Sequence, residues 1–416
     1  MAADAVHGAD FTPYALCSMQ LALELDSKST SLDADSVRSP ISVESSPAPL
    51  DASRLEINAV PNPNPAPDID DPDVMNVKTF TDRMITASWT EERASALQYA
   101  TQCFEGMKVF RGYDGRLRLF RPLYNCERML KSATRISLPA FDPRELLKLI
   151  HKLCELEAPK WLPKDKPGSA LYLRPTMIGS DSSLGFKVPE EAQLYIFMVY
   201  WPGPKLVTMN GETAPQAGTR LLASSVSAVR AWPGGTGSAK VGGNYGPALA
   251  EHGLAKKQGY DQVLWLFGPD RQITEAGATN IFVIWKTLSG VFQMVTPPLD
   301  KDGVILAGNT RRSIIELAQD MFSVETASKE LQCEVLERKI TMSEVEEASS
   351  NGRLMSVFVV GTAFWIQEVS EIGFNGKGIK VDIDVTAHVP LLRERMTEIM
   401  FGKRESDWVD IVQESL

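Results

Sequence analysis

The decisive stretch of this 416-residue chain is GGTGSAKVGGNYG at 234–246, in which Lys240 and Tyr245 stand among six glycines. Glycine has no side chain, so a backbone rich in it can approach a bound ligand closely. A nucleotide-binding P-loop needs Gly directly before its Lys and Ser or Thr directly after it, and Ala239 and Val241 occupy those places. A nucleotide hydrolase is therefore disfavoured. A cofactor loop and a turn-rich loop with an incidental lysine both stay open.

Two further stretches carry polar residues suited to a site. QITEAGATN at 272–280 sets Glu275 among small residues between two apolar strands, and a buried carboxylate there is expected to face a cation. GNTR at 308–311 opens a helix, where the unpaired amides of the first turn and the Thr310 hydroxyl form an anion site.

Together these residues match the needs of pyridoxal phosphate. Lys240 can form a Schiff base, Glu275 can keep a heterocyclic nitrogen protonated, and Tyr245 can hold a phenolic oxygen. The helix start at Asn309 and Thr310 can bind the phosphate. Each residue taken singly is more often plain structure, but the combination favours a cofactor site.

Composition and charge limit the other classes of function. Hydrophobic residues make up 44% of the chain and charged residues 23%, as in ordinary globular proteins, and the longest apolar run, 194–201, is too short to span a bilayer. The net charge of −10 argues against a nucleic-acid surface. Five widely spaced cysteines without a CxxC pair and four scattered histidines predict no metal site and suit a reducing compartment.

The N-terminal 72 residues differ from the remainder. They hold twelve acidic against three basic residues and are rich in Ser and Pro, which predicts a mostly disordered acidic extension over 1–72. A mitochondrial presequence is Arg-rich and poor in acids, whereas the first arginine here is Arg38. We therefore expect a cytoplasmic protein.

The order of predicted elements indicates an α+β fold with clustered strands. A hairpin is predicted from strands at 107–111 and 116–121, and helices are predicted from Leu123 onward and after an N-cap at Asp142. Prolines and glycines interrupt all periodicity at 201–218. This pattern predicts a small N-terminal domain over 73–205, a linker over 206–218 and a large C-terminal domain over 219–416.

Eight motifs resemble one family in its own order. They are FEGMKVFR at 104–111, LRP at 173–175, KVGGNY at 240–245, QVLWL at 262–266, TE at 274–275 with NIFV at 280–283, VTPPL at 295–299, GVIL at 303–306 and VGTA at 360–363. In these the chain resembles the eukaryotic-type branched-chain amino acid aminotransferases, fold-type IV pyridoxal-phosphate enzymes. The resemblance runs from about residue 80 to the C-terminus.

The resemblance implies a smaller N-terminal α/β domain, a larger β-rich pyridoxal-phosphate domain with surrounding helices, and a homodimer. It implies transamination of the branched-chain L-amino acids Leu, Ile and Val with 2-oxoglutarate, which gives branched-chain 2-oxo acids and L-glutamate. A D-amino acid aminotransferase or an aminodeoxychorismate lyase of the same fold, and an inactive binding paralogue, are the alternatives.

The resemblance also implies residue roles. Lys240 is the catalytic lysine and binds the cofactor covalently. The other cofactor residues are Arg128, Tyr245, Glu275, Asn309, Thr310 and Thr362. The residues that line or support the substrate pocket are Phe80, Tyr99, Phe104, Lys108, Tyr172, Arg174 and Ala363.

The chain departs from the family in two places. The segment between Trp89 and Tyr99 is shorter than is usual in the family, which could unpair a neighbouring strand near Phe104. Mammalian members carry a redox CxxC after the Gly-Thr-Ala motif, whereas this chain has Phe364-Trp-Ile-Gln367. A thiol switch at that place is therefore ruled out by residue type.

Overall fold

The computed structural model describes residues 16–17, 23–26, 95–181, 186–201, 218–363, 365–383 and 386–414. Phe80, most of the predicted 1–72 extension and residues 206–217 of the predicted linker lie outside these ranges. The predicted domain limits therefore stay predictions. The predicted α+β fold is confirmed, because two sheets and seven α-helices make up the regular structure of the described residues.

The first sheet is antiparallel and contains eight strands in the described part of the chain. The strands are β1 (Leu16–Cys17), β2 (Leu23–Asp26), β3 (Gln102–Phe104), β4 (Met107–Arg111), β5 (Leu117–Phe120), β6 (Ala170–Gly179), β7 (Glu191–Trp201) and β17 (Val409–Val412). They pair in the order β1-β7-β6-β4-β5-β17, while β2 also pairs with β7 and β3 with β6.

Hydrophobic alternation orients this sheet. Along β7, every second residue from Ala192 to Met198 is buried, as expected for a strand with one face on the core. The predicted hairpin is confirmed, because β4 and β5 pair antiparallel with Val109 opposite Leu119. Helices cover the sheet: α1 (Ser95–Tyr99), α2 (Pro122–Arg135) and α3 (Pro143–Trp161).

The predicted helix signals at α2 and α3 are confirmed. Asp142 caps α3 by accepting a hydrogen bond from the Arg144 amide, and Pro143 takes the first helical position, where its missing N–H costs nothing. Met129 of α2 and Ile150 of α3 are fully buried with the strands in one core. The helix pair thus forms one layer on the sheet.

The second sheet is mixed and contains nine strands in the described ranges. The strands are β8 (Thr219–Ala223), β9 (Gln262–Phe267), β10 (Gln272–Ala276), β11 (Asn280–Lys286), β12 (Phe292–Thr296), β13 (Cys333–Glu337), β14 (Leu354–Gly361), β15 (Trp365–Phe374) and β16 (Lys377–Lys380). Their order in the sheet is β10-β9-β8-β15-β14-β11-β12-β13, and β16 pairs with β15.

Both faces of this sheet are buried. Alternate residues of β11 enter opposite cores, Phe282 and Ile284 on one side and Ile281 and Val283 on the other. This explains why β11 is a continuous apolar run instead of an alternating one. The surrounding helices are α4 (Ala248–Lys257), α5 (Asn309–Met321), α6 (Met342–Ser350) and α7 (His388–Met400).

The structure differs from the sequence predictions in two respects. Glu275 does not lie between strands but within β10, where it is buried. The chain also does not stay in the second unit to its end, because β17 returns to the first sheet and pairs with β5. The C-terminal strand therefore ties the two sheets together.

Candidate active site

Lys240 lies where the two sheets meet, in the loop between β8 and α4. Its amide donates to Ser132 Oγ (2.8 Å), and its carbonyl accepts from the Phe104 amide (3.1 Å). Both anchors belong to the first unit, so the lysine backbone is held from across the cleft. Gly242 permits this packing, because a Cβ there would lie 2.4 Å from Nε2 of Gln102 on β3 of the first sheet.

The amine of Lys240 lies 3.2 Å from the Tyr245 hydroxyl. Burial, and after it the charges of Arg128 and Arg174, lower the pKa of Lys240 from the ordinary lysine value. Burial raises the pKa of Tyr245 to about 12, so this phenol stays protonated and can donate a hydrogen bond. Its ring contacts Phe104, with the ring centroids 5.2 Å apart.

Glu275 faces a cation, as predicted, and the cation is Arg230. Its Oε2 lies 2.8 Å from Arg230 Nη2, and its Oε1 accepts from the Leu306 amide (2.7 Å). Both side chains are buried. Burial raises the pKa of Glu275, and the Arg230 guanidinium opposes that rise. The carboxylate is thus fixed in place beside a permanent positive charge.

The backbone amides of a helix start and the guanidinium of Arg128 lie together at the start of α5. The helix begins after Gly308 without a side-chain cap, so the amides of its first turn, including those of Asn309 and Thr310, have no partner within the helix. Arg128 reaches the same end, because its Nη1 donates to the Ala307 carbonyl (2.8 Å). A small cavity there is lined by Asn125, Asn309, Thr310 and Thr362 among others.

Arg174 and Tyr172 lie on β6 at the other side of Lys240. Arg174 Nη2 donates to the Tyr172 hydroxyl (3.1 Å), and the guanidinium lies over the Phe104 ring at 4.7 Å. Its Nε is buried with no hydrogen-bond partner among the described residues. Gly106 makes room for this group, since a Cβ there would lie 1.9 Å from the Tyr172 hydroxyl.

Lys108 is buried and both lines the cavity at the start of α5 and supports its wall. Its amine donates to the Ala363 carbonyl (2.8 Å) and lies over the Trp201 and Trp365 rings. Burial lowers the pKa of Lys108 to about 7. Lys108 therefore fixes the turn after β14 that carries Thr362 and Ala363.

The structure brings together most of the residues that the sequence singled out. Tyr99 lies at the end of α1 with its ring against Phe186, and Phe80 lies outside the described residues. Four further residues of the site were not predicted from the sequence: Glu105, Asn125, Ser132 and Arg230. Glu105 lies inside the FEGMKVFR motif and Asn125 three residues before Arg128, which were the available signals; Ser132 and Arg230 are polar residues in stretches without a motif.

These residues fit a pyridine ring that carries a phosphate. The Lys240 amine and the Tyr245 phenol are in contact, and the charge of Glu275 acts on the Tyr245 phenol and that of Lys240 on Glu275. The uncapped start of α5 and two threonines line a cavity, and Arg128 contacts Ala307 just before that helix. Such a donor set suits pyridoxal phosphate.

Comparison with known proteins agrees with this geometry. The family model described as amino-transferase class IV matches residues 102–372. The chain belongs to the class IV aminotransferases. The mitochondrial branched-chain-amino-acid aminotransferase of Bos taurus is 38% identical over 382 residues, which cover 86% of this chain and 91% of that protein.

Other relatives of this class IV aminotransferase give the same result. The cytosolic branched-chain-amino-acid aminotransferase of Saccharomyces cerevisiae is 37% identical over 395 residues, 88% of this chain and 95% of the yeast protein. The crystal structure of the branched-chain aminotransferase of Thermoproteus uzoniensis with norvaline matches with a TM-score of 0.59 and 25% identity, covering 79% and 95% of the two chains. The crystal structure of the T.th. branched-chain amino acid aminotransferase with pyridoxamine 5'-phosphate matches with a TM-score of 0.60, 25% identity and the same coverage.

Proposed function

We propose that this class IV aminotransferase moves the amino group between the branched-chain L-amino acids Leu, Ile and Val and 2-oxoglutarate, with pyridoxal 5'-phosphate as cofactor. The products are branched-chain 2-oxo acids and L-glutamate. The observation that carries the proposal is the cluster of Lys240, Tyr245 and Glu275 with Arg174 beside it. The relatives named above support the amino-acid class.

The cofactor, when bound, supplies an electron sink that makes the substrate Cα–H acidic. Lys240 is suited to bind it and then to take up and return the Cα proton, because a lowered pKa leaves more of its amine neutral. Tyr245 would donate a hydrogen bond to an oxygen on the cofactor ring. Glu275 would keep the ring nitrogen protonated, and Arg230 holds that carboxylate in place.

The phosphate end is held by Arg128, Thr310, Thr362 and the first amides of α5, including those of Asn309 and Thr310. An uncapped helix start has partial positive charge and free N–H groups, which suit a dianion. The Ala363 amide lies on the turn fixed by Lys108 and is assigned to the substrate α-carboxylate.

The substrate pocket has to accept two unlike side chains. Phe104 and Tyr172 provide apolar surface for a Leu, Ile or Val side chain, worth roughly 1.5 to 3 kcal/mol per side chain. Tyr99 is assigned to the same pocket from the family resemblance. The γ-carboxylate of glutamate instead needs a donor, and Arg174 has one cationic group with an unused buried Nε. The phenol of Tyr172, at 3.1 Å from Arg174, extends this donor site.

The cytosolic compartment and a homodimer complete the proposal. The relatives include both cytosolic and mitochondrial enzymes, and the acidic character of residues 1–72 favours the cytosol. Val226, Trp232 and Leu249 flank the Lys240 loop and are 80%, 55% and 67% exposed, which suits a subunit contact. No helix in the described ranges is long and apolar enough to cross a membrane. A monomeric active species in sedimentation would contradict the dimer.

The test compares Lys240→Ala with Lys257→Ala, an exposed lysine on α4. Lys240→Ala is expected to abolish turnover of leucine with 2-oxoglutarate and the visible absorption band of the lysine-bound cofactor, with the fold unchanged by circular dichroism. Lys257→Ala is expected to retain both. Wild-type protein that turns over D-alanine but not L-leucine would refute the proposed substrate class.

A further inference from the structure

Glu105 is a buried carboxylate next to Phe104 that has no part in the function proposed so far. It is 0% exposed and accepts four hydrogen bonds. Arg128 supplies two of them, from Nε (2.6 Å) and Nη2 (2.8 Å), and Asn125 Nδ2 (2.8 Å) and the Gly106 amide (3.0 Å) supply the others. Burial by itself raises the pKa of Glu105, but Arg128, with smaller contributions from Lys240 and Asn125, outweighs it and holds the pKa below its usual value, so the carboxylate stays ionised.

Stability alone does not account for this ion pair. Moving two charges out of water costs free energy that their attraction often only repays, and apolar replacements of such pairs are frequently as stable. Glu105 is fully buried and the Arg128 side chain is only 11% exposed. The pair is therefore better explained by the orientation that Glu105 imposes on Arg128.

The pair fixes which part of Arg128 is left for a ligand. A guanidinium has five N–H groups in a rigid plane. Glu105 takes one on Nε and one on Nη2, and the Ala307 carbonyl takes one on Nη1. One N–H on each terminal nitrogen remains, and these two are the hydrogen bonds that Arg128 can offer to a phosphate.

The same carboxylate is connected to the helix start and to the lysine. Asn125 donates to Glu105 and accepts from Asn309 Nδ2 (2.9 Å), the first residue of α5. The neighbouring Phe104 amide donates to the Lys240 carbonyl. Glu105 thus sits between three parts of the site that come from both units.

We propose that Glu105 is a positioning residue for the phosphate end of the site: it holds Arg128 and, through Asn125, the first turn of α5 at the spacing that one phosphate bridges. This inference rests on the proposed role of Arg128. It makes a directional claim, since the negative charge of Glu105 by itself repels a phosphate. If charge alone mattered, removing it would tighten phosphate binding; if positioning matters, removing it loosens binding.

The test measures the affinity of the cofactor-stripped full-length chain for pyridoxal 5'-phosphate and for pyridoxal, which lacks the phosphate. The ratio of the two affinities reports the phosphate contacts and is insensitive to a general loss of folded protein. Glu105→Gln is expected to lower this ratio roughly tenfold or more, the size of one lost charge-assisted hydrogen bond. Glu105→Asp keeps the charge but shortens the reach, and is expected to lower the ratio as well.

Glu127→Gln, at an exposed position on α2 beside Arg128, is the matched control and should leave the ratio unchanged. An unchanged or higher ratio in Glu105→Gln would overturn the inference. The inference would also fail if Glu105→Gln changed the ratio while Glu105→Asp kept the wild-type value. If Glu105→Gln does not fold, the ratio in Glu105→Asp decides alone.

Arg128→Met separates this inference from the proposed function. If Arg128→Met keeps the wild-type ratio, the phosphate role of Arg128 itself is wrong. If Arg128→Met lowers the ratio, adding Glu105→Gln to it should lower the ratio by clearly less than Glu105→Gln does alone, because only the link through Asn125 then remains. A second loss of full size would show that Glu105 acts by another route and would overturn the positioning role.

Discussion

Replacement of Arg174 is expected to separate the two half-reactions of the enzyme. The guanidinium lies over Phe104 and Tyr172, spends one N–H on the Tyr172 hydroxyl, and faces no carboxylate within ion-pair distance among the described residues. Its buried Nε has no partner. Arg174 is therefore a cation that is available to bind a substrate carboxylate. Leucine has only its α-carboxylate, whereas glutamate has a second carboxylate in its side chain.

The magnitude follows from the ion pair that glutamate would lose. Removing one partner of a buried charge pair costs about 3 to 5 kcal/mol, and Arg174 borders the open cleft, so the lower end applies. Arg174→Ala is expected to slow the glutamate and 2-oxoglutarate half-reaction roughly a hundredfold. The leucine half-reaction should change by only a few-fold, from lost packing on the aromatic rings.

Single-turnover spectra of the bound cofactor measure each half-reaction separately. Arg174→Met keeps the apolar packing without the charge, and Arg144→Met, an exposed position on α3, controls for loss of an arginine. Equal losses in both half-reactions would show that Arg174 is structural. A selective loss of the leucine half-reaction would invert the assignment.

Three further outcomes are expected. Glu275→Gln should retain the cofactor but lower the rate strongly, because a neutral amide does not keep the ring nitrogen protonated, and an unchanged rate would place Glu275 outside the reaction. Arg230→Met leaves the Glu275 carboxylate buried without its cation, so the pKa of Glu275 should rise further. The rate should then fall and the pH–rate profile should shift to higher pH. A rate loss without a shift in the profile would make Arg230 a packing residue. Lys108 has a pKa of about 7 when folded and about 10.4 when unfolded, so the unfolded chain binds more protons between these values and the stability of the wild type should rise with pH across that window. The rise is at most about 1.4 kcal/mol per pH unit. The free energy of unfolding of Lys108→Met, measured in the same cofactor state, should lack this rise. Equal pH slopes for wild type and Lys108→Met in denaturant titrations would refute the prediction.

The sequence by itself determined the kind of site. The spacing of glycines around Lys240, the small residues around Glu275 and the helix start at Asn309 and Thr310 are local patterns, and local patterns report backbone freedom, strand burial and helix ends directly. The same holds for the Asp142 cap and the hairpin of β4 and β5, whose partners are near in the chain. The resemblance to the family added the expected roles of Arg128, Tyr172 and Arg174.

Only the tertiary structure decided which groups complete that site. Lys108 bonds to Ala363, 255 positions away, and Arg128 to Ala307, 179 positions away. The ion pairs of Arg230 with Glu275 and of Glu105 with Arg128 form across folded elements, as does the return of β17 to β5. No periodicity encodes such contacts, because they depend on how two sheets pack together and on which buried charges must then find a partner.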